Sequence, residues 1–366
     1  MQNILIDDLP LHSGHSVRGM GMYTKNLISS VLSSNHPALQ IQSGNTEKLT
    51  QPVDLIHYPY FNLFETTLPN SKLADKVVVT VPDLIPLLFP KLYPLGIRGK
   101  MKLAKNIKLL KEQADAIITI SETSKKDISR LCNINQDKIF VTYLAPNFVF
   151  EKISETKASK LIDKYNLPDK FVLYVGDVNV NKNIDTLLRA SKKANVDIVL
   201  VGKQAHELDD SIKLSKGPRD MLRQLLGKKH PEVEHFNRLK KLFENKRVHR
   251  VGFLSNEELN AVWNLATVYV QPSLYEGFGL PVLEAMQAGV PVIASKTQAL
   301  VEVAGDAAIF FKPKDTDNLA LKIKKMFTSK KLRKTYINKG KKRVERFSWE
   351  KQAKEVIDVY KHILSG

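Results

Sequence analysis

The sequence contains one cysteine, Cys132, so no internal disulfide and no cysteine-built zinc site is possible, which fits a reducing compartment. No apolar run approaches the roughly 20 residues that a membrane-spanning helix needs. The amino terminus, Met1-Gln-Asn-Ile-Leu-Ile-Asp-Asp8, offers no signal peptide, because charges arrive after only a few apolar residues. A cytoplasmic protein is therefore expected. His206, His230, His235 and His249 lack metal-ligand spacing, and no Asp-x-Asp pair is read as a metal motif. Neither a metal nor a cofactor is expected. Acidic residues are scarce: 38 Asp and Glu face 56 Lys and Arg, a net charge of +18. Much of the excess lies between Phe311 and Gly366, where 17 Lys and Arg face 6 Asp and Glu. Such a balance favours anionic partners such as phospholipid headgroups or phosphate-bearing acceptors. Nucleic acid is not among them, since basic-aromatic repeats and finger spacings are missing.

The 366 residues exceed the usual size of one domain, and a hydrophobic content of 43% supports sizeable cores. Two domains are the natural division. The most informative stretch is Pro272-Ser-Leu-Tyr-Glu-Gly-Phe-Gly-Leu-Pro-Val-Leu-Glu-Ala-Met-Gln-Ala-Gly-Val-Pro-Val-Ile-Ala-Ser295. With Thr267-Val-Tyr-Val-Gln271 before it, the segment reads strand, loop, helix, strand. Pro281 suits a first helical turn, and Gly289 with Pro291 closes the helix. Gly277 and Gly279 precede the helix, where missing side chains expose the backbone to a ligand and the helix dipole favours an anion. Glu276 and Glu284 are eight residues apart and can both face that ligand. Carboxylates accept hydrogen bonds from vicinal hydroxyls, as an acidic residue does for ribose in dinucleotide folds. A phosphate cradle with two hydroxyl acceptors describes a nucleotide-sugar site; without a ligand, the same residues describe a solvated loop and a helix start.

The string from Glu276 to Ala294 closely resembles the donor signature of the family-four retaining glycosyltransferases, the Glu-x7-Glu enzymes. That resemblance implies an α/β protein of GT-B fold: two Rossmann-like domains facing across a cleft, with a C-terminal helix crossing back to the first. It assigns residues 1–150 and about 348–366 to an acceptor-side domain, 151–168 to a linker and 169–347 to a donor domain. Within the donor motif it gives Glu276 to the sugar hydroxyls and Glu284 to the ribose, with Gly277, Phe278, Gly279 and Leu280 forming the cradle.

Other segments extend the likeness over most of the chain. Gly19-Met-Gly-Met-Tyr23 resembles the family's Gly-x-Gly-x-Tyr opening, so Gly19 and Gly21 are expected to let a loop approach the donor, with Arg18 as an anion contact. His57, Tyr58 and Ser121 fall at strand ends, where open α/β sheets hold ligands, and are expected on the acceptor side. Val81-Pro-Asp-Leu-Ile-Pro86 is similar to a His-Asp-Leu-Ile-Pro segment, but Pro82 replaces the His and leaves Asp83 to orient an acceptor hydroxyl. Lys182 and Asn183 match a motif whose lysine neutralises the donor diphosphate, while Asp177 stands where many relatives have Arg. Backbone groups near Gly252, Phe253 and Leu254 are expected to hold the base. Residues 204–246 read as a charged insertion, helical from about Pro231 to Glu244. Residues 97, 101, 104, 107 and 110 form an apolar stripe on a basic helix, which packs on a core or lies on an anionic membrane.

The implied activity is transfer of a sugar, from a UDP- or GDP-sugar above all, to a glycan or lipid-linked acceptor in cell-surface polysaccharide synthesis. Lys182, Glu276 and Asp83 are its expected catalytic groups, and no cation is required. Pro82 and Asp177 together leave open a second reading, a nucleotide-sugar-binding protein that has lost turnover.

Overall fold

A computed structural model describes residues 1–12, 19–34, 36–147, 150–208 and 231–366. Arg18 and His230 lie outside them. The chain divides into two compact units, Met1–Asn147 with Phe347–Gly366, and Phe148–Arg346.

In the first unit, β1 (Gln2–Asp7), β2 (Leu39–Gly44), β3 (Leu55–Tyr58), β4 (Lys76–Thr80), β5 (Ala116–Thr119) and β6 (Ile139–Val141) form one parallel sheet in the order β2-β1-β3-β4-β5-β6. Short β-branched runs such as Val77-Val-Val79 suit strands covered on both faces. Helix Gly19–Ser33 and the C-terminal helix Trp349–Ser365 share one core, in which Tyr23, Leu27 and Val31 meet Ala353, Val356, Ile357 and Tyr360 over Ile4, Ile6 and Leu55. The terminal helix thus belongs to the first unit, as the fold expectation had it. Gly19 and Gly21 sit in the first turn of helix Gly19–Ser33 rather than in a loop.

The second unit has β7 (Phe171–Val175), β8 (Asp197–Val201), β9 (Val248–Val251), β10 (Val268–Gln271), β11 (Val292–Ser295) and β12 (Ala308–Phe311), again all parallel, in the order β12-β11-β10-β7-β8-β9. Read from the other edge, this is the Rossmann order, whose direction of winding reverses between β7 and β10. Two segments differ from the sequence expectation. The span read as a linker carries helix Glu155–Tyr165, capped by Ser154 and tied to helix Asn256–Leu265 by Lys157–Glu257 and Lys164–Glu258. Helix Pro231–Phe243 is less a peripheral insertion than part of the core, burying Phe236, Leu239 and Phe243 against Leu187 and Leu200.

The apolar stripe on helix Ile97–Gln113 is also phased differently. Ile97 is 81% and Met101 68% exposed, whereas the inward face carries Asn106, Leu109, Leu110 and Gln113. Asn106 reaches inward because its amide donates to the carbonyls of Leu63 at 3.1 Å and Glu65 at 2.9 Å, and Gln113 donates to that of Pro69 at 2.6 Å. Polar side chains satisfied by a neighbouring loop set the face, so counting apolar residues missed it.

His57 forms a second polar anchor in this unit. It is fully buried, with Nδ1 2.6 Å from the Tyr360 hydroxyl and Nε2 2.8 Å from Thr80 Oγ1. Burial pulls its pKa down to about 3, so the folded protein holds it neutral. An unfolded chain binds a proton there below about pH 6.5. Stability from this group is therefore complete above pH 6.5 and is lost as pH falls towards 3, by up to about 1.4 kcal/mol per unit. Denaturant melts at pH 7 and pH 5 should show a drop that His57→Gln reduces; an equal drop in both proteins would contradict this role.

Candidate functional site

The winding reversal between β7 and β10 leaves two loops at the carboxyl ends of adjacent strands, one running from Gly176 to Asn183 and the other from Pro272 to Gly279. Open α/β sheets hold ligands at such a point. The loops are laced together by their backbones and side chains. Leu274 N donates to Asn181 O at 2.7 Å, and Asn183 Nδ2 donates to Pro272 O at 2.9 Å. Asn183 manages this from a left-handed conformation, φ 55°, with its side-chain Oδ1 accepting from Thr186 Oγ1 at 2.8 Å. Below, the Tyr174 hydroxyl donates to Asp177 O, while Gln204 accepts from Val178 N and donates to Asn179 Oδ1. His235 Nε2 contacts Val178 O at 2.7 Å, which brings the helix of the expected insertion against the same loop.

At the centre, Lys182 Nζ lies 2.9 Å from both Glu276 oxygens. The Lys182 side chain is 24% exposed and that of Glu276 8%, so the pair is largely desolvated. Glu276 Oε1 also accepts from Ser273 Oγ at 2.6 Å and from Gln271 Nε2 at 2.7 Å. Glu284 is buried in helix Leu280–Gln287, and both carboxylates raise the pKa of the Tyr269 phenol, after burial itself. Both acids thus act electrostatically on the one phenol. Gly279 starts this helix at φ 102°, where an added Cβ would stand 2.5 Å from Leu300 Cδ2. Phe278 packs inward at 3% exposure, and Gly277 and Gly279 beside it are themselves buried, with Leu280 half-buried.

The remaining expected residues are spread more widely. Asp177 is exposed, its main chain rather than its carboxylate forming the loop contact. Gly252, Phe253 and Leu254 follow β9, at the same carboxyl edge but two strands away from β7, with the Phe253 ring 75% exposed. On the first unit, the acceptor-side assignments of His57 and Tyr58 need correction. His57 spends both ring nitrogens inside the core, and Tyr58 is 3% exposed, its phenol pushed up to about 12 by burial and by Asp7 nearby. Ser121 is fully buried as the cap of helix Glu122–Cys132, accepting from Ser124 N at 2.9 Å. Asp83 Oδ1 accepts from Ile85 N at 3.1 Å and so starts a helical turn.

An Asp-x-Asp spacing does occur, at Asp315-Thr-Asp317, but it is structural. Asp315 caps helix Thr316–Thr328 by accepting from Asn318 N, and Asp317 pairs with Lys193. Tyr269, Gln271, Ser273 and Gln204 escaped sequence reasoning. The available signal was Gln271 itself, a polar residue ending the apolar run Val268-Tyr-Val270.

The model of the family "Glycosyl transferases group 1" matches residues 157–343, just over half of the chain and both loops that carry Lys182 and Glu276. The chain belongs to that family. This glycosyltransferase is 29% identical over 294 residues to the O-antigen chain mannosyltransferase B of Escherichia coli, covering 78% of this chain and 70% of that protein. It is 27% identical over 310 residues to the serotype-specific mannosyltransferase WbdA of the same organism, but there it spans only 35% of the relative's length. Among solved structures, sucrose-phosphate synthase from Thermosynechococcus elongatus aligns over all of both chains with TM-score 0.67 at 20% identity. Anabaena HepE in complex with UDP and glucose aligns over 99% of this chain and 100% of that one with TM-score 0.68 at 16% identity. The two Rossmann-like units of the glycosyltransferase are those of the GT-B fold.

A backbone contact also shapes the site: a Cβ on Gly202, at φ 156°, would stand 2.4 Å from Gly176 O. Gly202→Ala should therefore cost at least about 1–3 kcal/mol and displace the loop that carries Lys182. Thermal unfolding checks the prediction, and an unchanged midpoint would contradict the close approach.

Proposed function

We propose that this glycosyltransferase moves mannose from GDP-mannose to a glycan or lipid-linked acceptor during cell-surface polysaccharide synthesis. The observation that carries the reading is the Lys182–Glu276 pair at the winding reversal of the second unit. A lysine there neutralises the leaving diphosphate, and a carboxylate beside it accepts from sugar hydroxyls. The mannosyltransferase relatives favour mannose over other sugars.

In this scheme the bond from the anomeric carbon to the diphosphate oxygen breaks. The acceptor oxygen bonds to that carbon on the same face, and its proton passes to the departing diphosphate. Retention follows, no side-chain base is needed at Pro82, and no metal is called on. Lys182, the backbone from Gly277 to Gly279 and the dipole of helix Leu280–Gln287 stabilise the negative charge instead. Glu276 serves the mannose and Glu284 the ribose, while Gly252, Phe253 and Leu254 serve the base.

The acceptor side faces an anionic membrane at the inner surface of the cell. Helix Ile97–Gln113 exposes Ile97 and Met101 beside Arg98, Lys100, Lys102, Lys105 and Lys108, with no acid in its first turn to suit the dipole. Cations at a helix amino terminus oppose the dipole, but they fit lipid headgroups.

A thermal-shift panel of GDP-, UDP-, ADP- and dTDP-sugars tests the donor. GDP-mannose at 100 times its Kd should stabilise by about 2.7 kcal/mol, and Lys182→Ala should lower kcat by roughly 10²–10³. No shift with any nucleotide sugar would reject the reading, and binding without transfer would favour a protein that has lost turnover. Vesicles of phosphatidylglycerol and phosphatidylethanolamine should sediment the parent but not Ile97→Glu/Met101→Glu; equal sedimentation would reject the membrane face.

A further inference from the structure

The hydrogen bonds behind Glu276 all run in one direction. Tyr269 OH donates to Gln271 Oε1. Gln271 Nε2 donates to Ser273 Oγ at 2.8 Å and to Glu276 Oε1 at 2.7 Å, and Ser273 Oγ donates to the same Oε1 at 2.6 Å. The group is almost sealed: Tyr269 and Ser273 are 0% exposed, Gln271 2% and Glu276 6%. Burial holds the Tyr269 phenol well above its ordinary pKa, so it remains a donor throughout the working pH range.

Direction matters because a glutamine amide has two faces. Turned over, Gln271 would aim its carbonyl oxygen at a carboxylate and remove one donor from it. The carboxylate only accepts, so the amide N–H groups face Glu276, and the Tyr269 hydroxyl holds that orientation by donating to the carbonyl on the other side. Glu276 Oε1 then carries Gln271, Ser273 and Lys182, whereas Oε2 carries Lys182 at 2.9 Å and no other described residue. One oxygen is engaged by three scaffold groups, and the other by Lys182 alone among the described residues.

From this geometry we infer that Gln271, oriented by Tyr269 and joined by Ser273, is the positioning residue that fixes Glu276 so that Oε2 meets the donor sugar. The inference rests on the nucleotide-sugar reading above and deepens it. None of the three need touch the substrate. Their effect is to hold a carboxylate that does, within the fraction of an ångström that hydroxyl recognition demands. A strand end with a packing role alone would bury an apolar side chain at 271, without the desolvation that a buried amide incurs.

The role separates sugar recognition from nucleotide recognition, and two ligands read it. Calorimetry with GDP and with GDP-mannose, beside steady-state transfer, compares the parent with Gln271→Leu and Tyr269→Phe. Gln271→Leu should bind GDP within about threefold of the parent, lose the added affinity of GDP-mannose over GDP, and lower kcat by roughly 10². Tyr269→Phe, which removes one oxygen from the core, should shift the same quantities by about tenfold and carries the test if Gln271→Leu does not fold. A loss of GDP and GDP-mannose affinity in equal proportion would assign Gln271 to general structure and overturn the inference. So would folded variants with parental GDP-mannose preference and kcat. A parent that binds neither ligand would overturn the donor reading and this inference with it, whereas normal binding by parent and variants would overturn this inference alone.

Discussion

A carboxylate buried to 8% side-chain exposure needs a counter-charge, and in this glycosyltransferase Lys182 supplies it from a different strand loop. The ion pair joins the loop after β7 to the loop after β10, the neighbouring strands between which the sheet reverses its winding. An unpaired charge at that depth would be costly, so the pair binds the local fold to the site. Two further bonds, Leu274 N to Asn181 O and Asn183 Nδ2 to Pro272 O, keep the loops in register.

Around that pair the unit is built for proximity of backbone. Gly176 and Gly202 allow the loops after β7 and β8 to touch, and Gly279 allows helix Leu280–Gln287 to start against Leu300. Gln204 and His235 brace the first loop from two other elements. The first unit follows a different logic. Its polar interior, from Tyr23 through Thr80 and His57 to Tyr360, ties the terminal helix to the sheet. Strand-end position alone therefore did not mark His57 as a ligand group.

Much of the donor site was legible in the sequence because its signals are local. Two glycines, a proline at the helix start and two acids lie within nine residues from Glu276 to Glu284, and Lys182 lies at a second loop-to-helix junction. Eleven of the twelve described strands follow from short β-branched runs separated by helical stretches, whereas β2, Leu39-Gln-Ile-Gln-Ser-Gly44, has only Ile41 of that type and was not legible. What escaped depends on contacts distant in sequence. Whether His57 faces a ligand or Tyr360 is decided 303 positions away. The inward face of helix Ile97–Gln113 is set by carbonyls of the loop at residues 62–69. Tyr269 and Gln271 alternate like ordinary strand residues until the fold brings Glu276 over them.

In the proposed function one desolvated lysine–carboxylate pair divides the ligand, with diphosphate towards the ammonium and sugar towards the carboxylate. A crystal structure of the protein with GDP-mannose tests it most directly. A diphosphate oxygen should lie within hydrogen-bond distance of Lys182 Nζ and a mannose hydroxyl within hydrogen-bond distance of Glu276 Oε2. A nucleotide sugar bound elsewhere, or held with its mannose turned away from Glu276, would contradict it.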